Sequence, residues 1–180
     1  EEAVFAGGCF WCLEHDLETL PGVISAESGY SGGNLANPTY HNHDGHQEVV
    51  RVRFDSSLIT YEELLRNYWR NIDPFNEEGQ FCDIGNSYRP LIFTKGEDQE
   101  QKAIDSALLA SKELNESLDS IKVNIKKVMK FWPAEEYHQN YAERNSLKYN
   151  FYRYSCGRDL RLDEIWEENS RTGKAWIEKV

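Results

Sequence analysis

Residues 7–12 (GGCFWC) contain the residue types in this chain that are best suited to thiol chemistry. A β-like run over residues 3–6 passes through two glycines into a helical pattern that begins near Phe10. We therefore expect the Cys9 sulfur to lie at a helix N-terminus, where free N–H groups and the helix dipole favour a thiolate and lower the cysteine pKa. Cys9 is thus a candidate nucleophile. The alternative is that Cys9 and Cys12 are small buried hydrophobic residues.

Two other stretches carry groups that could donate or hold protons. Glu48 follows Gly45-His46-Gln47 at the entrance of a predicted strand, and burial there would raise its pKa so that it could act as a general acid. In residues 82–89 (CDIGNSYR), Tyr88 could donate a hydrogen bond to a substrate oxygen, and Asp83 could orient a backbone N–H or a water. The alternative for Glu48 is a solvated glutamate on an edge strand. The alternative for Asp83 and Tyr88 is an Asx-turn beside a packed ring.

The cysteines allow redox or metal chemistry. Three histidines in residues 41–46 could point to zinc, but structural zinc usually needs two ligand pairs at short spacing, and Cys82 and Cys156 each stand alone. Cys9 and Cys12 form a CxxC, whose two thiols can close a disulfide on one helix turn. A general thiol–disulfide oxidoreductase that uses Cys9 and Cys12, and a zinc-binding module without enzyme activity, remain alternatives.

Composition describes one globular domain over residues 1–180. The hydrophobic fraction is 39% and the aromatic fraction 13%, which is enough for a packed core rich in rings. A net charge of −11 disfavours nucleic-acid binding, and the apolar runs are too short to span a membrane. Four cysteines are too few for a disulfide scaffold. We expect a cytoplasmic protein, with a periplasmic or otherwise exported form left open, and no cofactor or metal.

Hydrophobic periodicity and breakers predict the elements that position these groups. Strands are expected over residues 23–30, 47–54, 91–94 and 123–128, and a long loop over 71–90. Helices are expected from Phe10 to Pro21, after a Thr60 capping box, over 97–115, from Pro133 to about 146, and around 162–168. The apolar face expected for the helix over 97–115 consists of Ala103, Ile104, Ala107, Leu108 and Leu114. These elements predict an α+β two-layer sandwich with a mixed β-sheet, a ferredoxin-like core and a loop-rich C-terminal tail.

Six motifs occur in the order found in one known family. They are Gly8-Cys9-Phe10-Trp11, Gly29-Tyr30-Ser31-Gly32-Gly33, Asn37-Pro38-Thr39-Tyr40, Gly45-His46-Gln47-Glu48, Asp83-Ile84-Gly85-Asn86-Ser87-Tyr88-Arg89 and His138-Gln139-Asn140-Tyr141. On these motifs the chain closely resembles methionine sulfoxide reductase A along nearly its whole length. The resemblance implies an α+β enzyme that reduces the S epimer of methionine sulfoxide, free or in proteins.

The resemblance also implies roles for single residues. Cys9 would attack the sulfoxide sulfur, and Glu48, with Tyr40 and Tyr88, would bind and protonate the sulfoxide oxygen. Asp83 would organise water and hydrogen bonds beside them. The chemistry agrees, because a sulfoxide sulfur is a poor electrophile until its oxygen is hydrogen-bonded or protonated. The implied product on Cys9 is a sulfenic acid, which condenses with a second thiol to a disulfide.

The methyl pocket and the recycling steps follow from the same resemblance. Phe10 and Trp11 would form an apolar slot for the S-methyl group. Many members have glycine where this chain has Cys12, and the loop over residues 41–44 looks shorter than the common form. The resolving thiol therefore stays open between Cys156, Cys12 and Cys82, in that order. We expect thioredoxin to reduce the disulfide and the enzyme to be a monomer.

Overall fold

The structure is a computed structural model that describes residues 1–176. The last four residues of the domain predicted over residues 1–180 lie outside this described part. The strands are β1 (Glu2–Ala6), β2 (Val23–Ser31), β3 (Gln47–Phe54), β4 (Gly79–Gln80), β5 (Asp83–Ile84), β6 (Leu91–Thr94), β7 (Asn124–Lys127) and β8 (Trp132–Pro133). The helices are α1 (Phe10–Glu18), α2 (Tyr61–Trp69), α3 (Glu97–Glu113), α4 (Tyr141–Arg144), α5 (Ser146–Ser155) and α6 (Arg158–Trp166). Within residues 1–176, no helix is both long and apolar enough to cross a bilayer.

A six-stranded sheet ordered β7-β6-β1-β3-β2-β8 forms the centre of the fold. The elements β1, α1, β2, β3, α2 and β6 form a βαββαβ unit, in which the short β4 and β5 are inserted between α2 and β6. The paired strands of this unit are all antiparallel. This is the split βαβ order of ferredoxin-like folds. β7 pairs parallel with β6 and makes the sheet mixed. The predicted α+β class, mixed sheet and ferredoxin-like core are confirmed.

The core lies on both faces of the sheet because successive strand residues point to opposite sides. Phe5 and Val50 belong to the large cluster that includes residues of α1, α2 and α3. Val4 and Val49, their neighbours in sequence, belong to a smaller cluster on which Phe131 and Val128 pack. Helices therefore cover one face, and the connection between β7 and β8 covers part of the other.

Several predicted elements agree with the structure to within a few residues. The Thr60 capping box is present: Glu63 N–H donates to Thr60 Oγ1 at 3.2 Å, and Thr60 N–H donates to Glu63 Oε2 at 2.8 Å. Part of the predicted apolar face of α3 is confirmed, because Ala103 and Ala107 are buried in the core. Ile104 and Leu108 are 47% and 43% exposed, so that part of the prediction is wrong.

The loop predicted over residues 71–90 contains the β4–β5 hairpin and a 3₁₀ turn over Asn86–Tyr88. The helix predicted from Pro133 to about residue 146 is confirmed only in its last part, as α4, and its predicted start is wrong. Pro133 lies in β8 at the sheet edge, opposite Gly29, and proline is tolerated there because an edge strand needs no donor on its outer side.

The prediction of a loop-rich C-terminal tail is also wrong, because α5 and α6 make this region largely helical. These helices attach to α1 through buried polar groups: Arg153 Nη1 lies 2.8 Å from Asp16 Oδ1, and Arg158 Nε lies 3.9 Å from Asp16 Oδ2. Large apolar residues of α5 such as Leu147 and Phe151 are exposed. Apolar periodicity could not reveal α5, because the only residues that it buries are Tyr149 and Arg153.

Candidate active site

Cys9 lies at the junction between β1 and α1, as its N-cap residue. The preceding Gly8 has φ +83, and a Cβ there would lie 2.6 Å from Cβ of Gln80, so glycine is required by both conformation and space. The Cys9 carbonyl accepts the first α1 hydrogen bond, from Cys12 N–H at 3.2 Å. The Phe10 N–H, which has no partner within the helix, donates to Glu48 Oε2 at 3.1 Å. The helix N-terminus therefore binds Glu48.

The expected lowering of the Cys9 pKa is wrong for this structure. Burial raises the pKa of the Cys9 thiol well above its ordinary value, and the hydrogen bond with Cys12 and the nearby Glu48 and Asp83 raise it further. The pKa of Cys12 is lowered to about 7, first because Cys9 donates a hydrogen bond to it and then because Arg158 is close. Negative charge on the pair is therefore favoured on Cys12.

Glu48 has the burial that a proton donor needs. It is the second residue of β3, pairs with Tyr30 of β2 and is only 2% exposed. Burial raises the pKa of its carboxyl to about 8, even though the hydrogen bond from the Phe10 N–H opposes the shift. Most Glu48 side chains therefore hold a proton at pH 7. This agrees with the sequence-based expectation that a buried Glu48 keeps a proton near neutral pH.

A small cavity of about 60 Å³ brings the predicted site residues together. It is lined by Cys9, Phe10, Trp11, Tyr40, Glu48, Asp83, Tyr88 and Tyr152. Seven of these eight residues were singled out from the sequence, and they come from α1, β3, β5 and two loops. Tyr152, on α5, is the residue that sequence reasoning missed. The only signal for it was the dense run of aromatic residues that precedes Cys156.

The polar wall of the cavity contains two phenols, Tyr40 and Tyr88, and the carboxyl of Asp83. Burial raises the pKa of Tyr40 to about 12, and it raises the pKa of Tyr88 also, so both phenols remain hydrogen-bond donors at neutral pH. Tyr152 O–H donates to Asp83 Oδ2. Burial raises the pKa of Asp83, while the bond from Tyr152 and the charge of Arg158 oppose the shift. Asp83 is therefore fixed through Tyr152.

The aromatic wall is held by the His138-Gln139-Asn140-Tyr141 stretch. Trp11 Nε1–H donates to His138 Nδ1 at 3.0 Å, and the Trp11 ring stacks on Tyr141 with centroids 3.8 Å apart. His138 is 1% exposed, and burial lowers its pKa. Because Nδ1 accepts the indole hydrogen bond, His138 carries its proton on Nε2. Phe10, 5.0 Å from the His138 ring centroid, completes this wall.

The structure joins two of the three candidate resolving cysteines to each other. Cys82 and Cys156 form a disulfide with their Cα atoms 5.0 Å apart. Cys82 is exposed, whereas the free thiols Cys9 and Cys12 are buried. Cys12 is thus the candidate that is both unpaired and hydrogen-bonded to Cys9.

The histidines that raised the zinc alternative make other contacts. The His43 ring contacts Thr39 O and Ser87 Oγ, and the buried His46 ring accepts Gly33 N–H and contacts Leu35 O. In the part of the chain that the structure describes, three potential ligand atoms meet at Cys82, Asp83 and Cys156, where both sulfurs are already in the disulfide.

Residues 1–170 match the family model for peptide methionine sulfoxide reductase. The chain is 49% identical over 170 residues to peptide methionine sulfoxide reductase MsrA 2 of Caulobacter vibrioides, covering 92% of this chain and 85% of that protein. It is 42% identical over 187 residues to MsrA/MsrB of Vibrio cholerae, which covers 99% of this chain but spans only 49% of that longer protein.

Solved structures agree with these matches. Methionine sulfoxide reductase A of Corynebacterium diphtheriae superposes with a TM-score of 0.76 at 31% identity, covering 82% of this chain and 76% of that one. Mxr1 of Saccharomyces cerevisiae in complex with Trx2 has the same fold, with a TM-score of 0.56 at 19% identity over 79% of this chain and 84% of that one. The chain belongs to the peptide methionine sulfoxide reductase family, whose A-type members reduce the S epimer of methionine sulfoxide.

Proposed function

We propose that Cys9 is the nucleophile of this enzyme and that Glu48 is its proton donor. The observation that carries the proposal is their placement: a buried thiol and a carboxyl with a pKa of about 8 line one small cavity. Glu48 is held there by the N–H of Phe10, the residue that follows Cys9. A group that must donate a proton near neutral pH works best with a pKa in this range.

In the proposed reaction, the Cys9 sulfur attacks the sulfoxide sulfur while the sulfoxide oxygen is protonated by Glu48. The sulfur–sulfur bond formed in this attack and the sulfur–oxygen bond of the substrate then both break as the oxygen passes to the Cys9 sulfur, giving methionine and a Cys9 sulfenic acid. Cys9 donates its S–H hydrogen bond to Cys12, so a Cys12 thiolate can take the Cys9 proton during attack. This removes the need for a preformed Cys9 thiolate.

The side chains around Cys9 and Glu48 would bind the rest of the sulfoxide group. Tyr40 and Tyr88 would donate hydrogen bonds to the sulfoxide oxygen, which gains negative charge as the thiol attacks. Asp83 would order these donors and nearby water. Its own position is held by Tyr152.

Phe10 and Trp11 would form the slot for the S-methyl group. Both rings line the cavity, and Phe10 is fully buried. Methionine sulfoxide, free or within a protein, has one small apolar group on the sulfur that fits such a slot. The His138 and Tyr141 contacts keep the Trp11 ring in place.

Cys12 is the proposed resolving thiol. Its attack on the Cys9 sulfenic acid would form a Cys9–Cys12 disulfide and release water. The proximity of the two thiols supports this choice, and Cys156 and Cys82 cannot resolve Cys9 while they are joined to each other. When reduced, Cys82 and Cys156 would offer an exposed dithiol.

An external dithiol protein must return the enzyme to its reduced form, because the reaction consumes two thiols in each turnover. We propose thioredoxin for this role, as the resemblance implies, and the complex of Mxr1 with Trx2 shows such a partner on a protein of the same fold. A monomer that works in the cytoplasm remains our expectation. The alternative of a general thiol–disulfide oxidoreductase is disfavoured, because disulfide exchange does not need the Glu48 and Tyr88 side chains that line the cavity with Cys9.

The test is a single turnover of fully reduced, desalted protein with a peptide that contains one methionine sulfoxide. Wild type should release one methionine per chain and then show a Cys9–Cys12 disulfide in peptide mass mapping. Cys9→Ser should release none. Cys12→Ser should release one methionine and leave a sulfenic acid on Cys9 that dimedone traps.

The matched control is the Cys82→Ser/Cys156→Ser double variant, which removes the other cysteine pair and should still release one methionine and form the Cys9–Cys12 disulfide. A Cys9–Cys156 or Cys9–Cys82 disulfide in wild type would overturn the choice of Cys12. Methionine release by Cys9→Ser would overturn the proposed nucleophile.

A further inference from the structure

Residues 134–141, called the strap here, run from the end of β8 into α4 along the aromatic wall of the cavity. The Gln139 side chain pairs with both backbone groups of Ser28 in β2: Ser28 N–H donates to Gln139 Oε1 at 2.9 Å, and Gln139 Nε2 donates to Ser28 O at 2.9 Å. His138, which precedes Gln139, accepts the indole N–H of Trp11. The strap therefore carries the groups that fix Trp11.

Glu14 attaches the far end of the strap to α1. Its Oε2 accepts the Asn140 N–H at 3.1 Å, and Asn140 has φ 52, the left-handed conformation from which the chain enters α4. Glu14 is 1% exposed and lies beside Ser28. It follows Trp11 by three residues, so both side chains lie on the same face of α1.

Burying a carboxyl costs folding free energy unless hydrogen bonds compensate for it. The proposed reaction makes no direct use of Glu14. Burial raises its pKa to about 7, while the Asn140 N–H and Ser28 oppose the shift and Glu18 adds to it. About half of the Glu14 side chains are therefore protonated at neutral pH. The hydrogen bond to Asn140 needs only an acceptor oxygen, which either form of the carboxyl provides.

We propose that Glu14 is a positioning residue for substrate binding: by holding Asn140 it fixes the strap, and through His138 and Tyr141 it fixes the ring of Trp11. The inference rests on the proposed function, because it takes Trp11 as a wall of the methyl slot. In that role the Trp11 ring contacts the bound substrate equally before the reaction and in its transition state. Loss of the Glu14 contact should therefore raise KM and leave kcat nearly unchanged, since Cys9 and Glu48 are held by β1, β3 and the first turn of α1.

The first test compares steady-state kinetics on a methionine sulfoxide peptide, with dithiothreitol as reductant. Glu14→Leu, which removes the acceptor, should raise KM about tenfold with kcat within about twofold of wild type. Glu14→Gln keeps an acceptor oxygen at the same reach and should restore KM to within about threefold. Glu18→Gln is the matched control on the same helix, at a side chain that pairs with His15, and should behave as wild type.

The second test does not depend on activity. The indole N–H resonance of Trp11, assigned with Trp11→Phe, should shift in Glu14→Leu and keep its position in Glu14→Gln and Glu18→Gln. If Glu14→Leu does not fold, Glu14→Asp, which shortens the side chain by one carbon, should give the same KM increase and shift to a smaller degree.

An unchanged Trp11 resonance and KM in a folded Glu14→Leu or Glu14→Asp variant would overturn the positioning role. So would Glu14→Gln behaving like Glu14→Leu, since that would show that the charge and not the acceptor matters. Lack of activity in wild type would instead refute the proposed function, and the resonance comparison would still decide the role of Glu14.

Discussion

Replacing Glu48 with glutamine should change how the stability of the protein depends on pH. In the folded protein the carboxyl pKa is about 8, against an ordinary value of 4.5 for the unfolded chain. Between these values the folded state binds more protons than the unfolded state, so wild type loses stability as pH rises from about 5 to 8. Glu48→Gln has no proton to lose. The pKa difference corresponds to about 5 kcal/mol as an upper bound, with a steepest slope of about 1.4 kcal/mol per pH unit.

The assay is urea unfolding of wild type and Glu48→Gln at several pH values from 5 to 8.5, in degassed buffer without reductant. Groups with raised pKa values that do not interact with Glu48, such as Glu14, are present in both proteins and cancel in the difference. We expect the unfolding free energy of Glu48→Gln to rise relative to wild type by at least about 2 kcal/mol over this range, because relaxation around a buried carboxylate recovers part of the upper bound. Parallel curves would refute the assignment of a buried, protonated Glu48.

Three further predictions test the turn before α1, the N-terminus of α2 and the charge close to Cys12. Gly8→Ala should cost about 3 kcal/mol in urea unfolding, because it places a Cβ at positive φ against Gln80, and a loss below about 1 kcal/mol would contradict the required close approach. Thr60→Ala should cost about 1 kcal/mol through loss of the α2 cap without changing kcat/KM, so a change in kcat/KM would show coupling between α2 and the cavity. Arg158→Met should raise the pKa of Cys12 above about 7, measured as thiolate absorbance at 240 nm against pH, because the Arg158 charge lowers it; an unchanged titration would remove Arg158 as a cause.

The sequence predicted the features that depend on local patterns. The Thr60 capping box and the alternation of β3 are signals carried by a few adjacent residues, and both are present. The site residues could be named because the six motifs occur in order, and the structure lines one cavity with Cys9, Glu48 and Tyr88. Their chemical roles stay predictions until the turnover experiments are done.

The features that the sequence did not predict depend on distant contacts. The direction of the Cys9 pKa follows from burial under residues far along the chain, whereas the local helix N-terminus alone suggested the opposite. Tyr152 reaches the cavity because α5 docks on α1 through Arg153 and Asp16, a contact between residues 137 positions apart. A helix attached by charged groups leaves no apolar stripe in the sequence.

The distribution of charge in the site fits a neutral substrate with a strong sulfur–oxygen dipole. At pH 7 the Cys9 thiol and the Tyr40 phenol are protonated, and Glu48 mostly so, so these three groups add little negative charge that would repel the sulfoxide oxygen. The favoured site for a thiolate is Cys12, which is hydrogen-bonded to Cys9 and near Arg158. If Cys9 passes its thiol proton to Cys12 during attack, the Cys9 sulfur becomes charged only when Glu48 protonates the sulfoxide oxygen. The resting enzyme would then hold an unreactive thiol, and substrate binding would be the event that activates it.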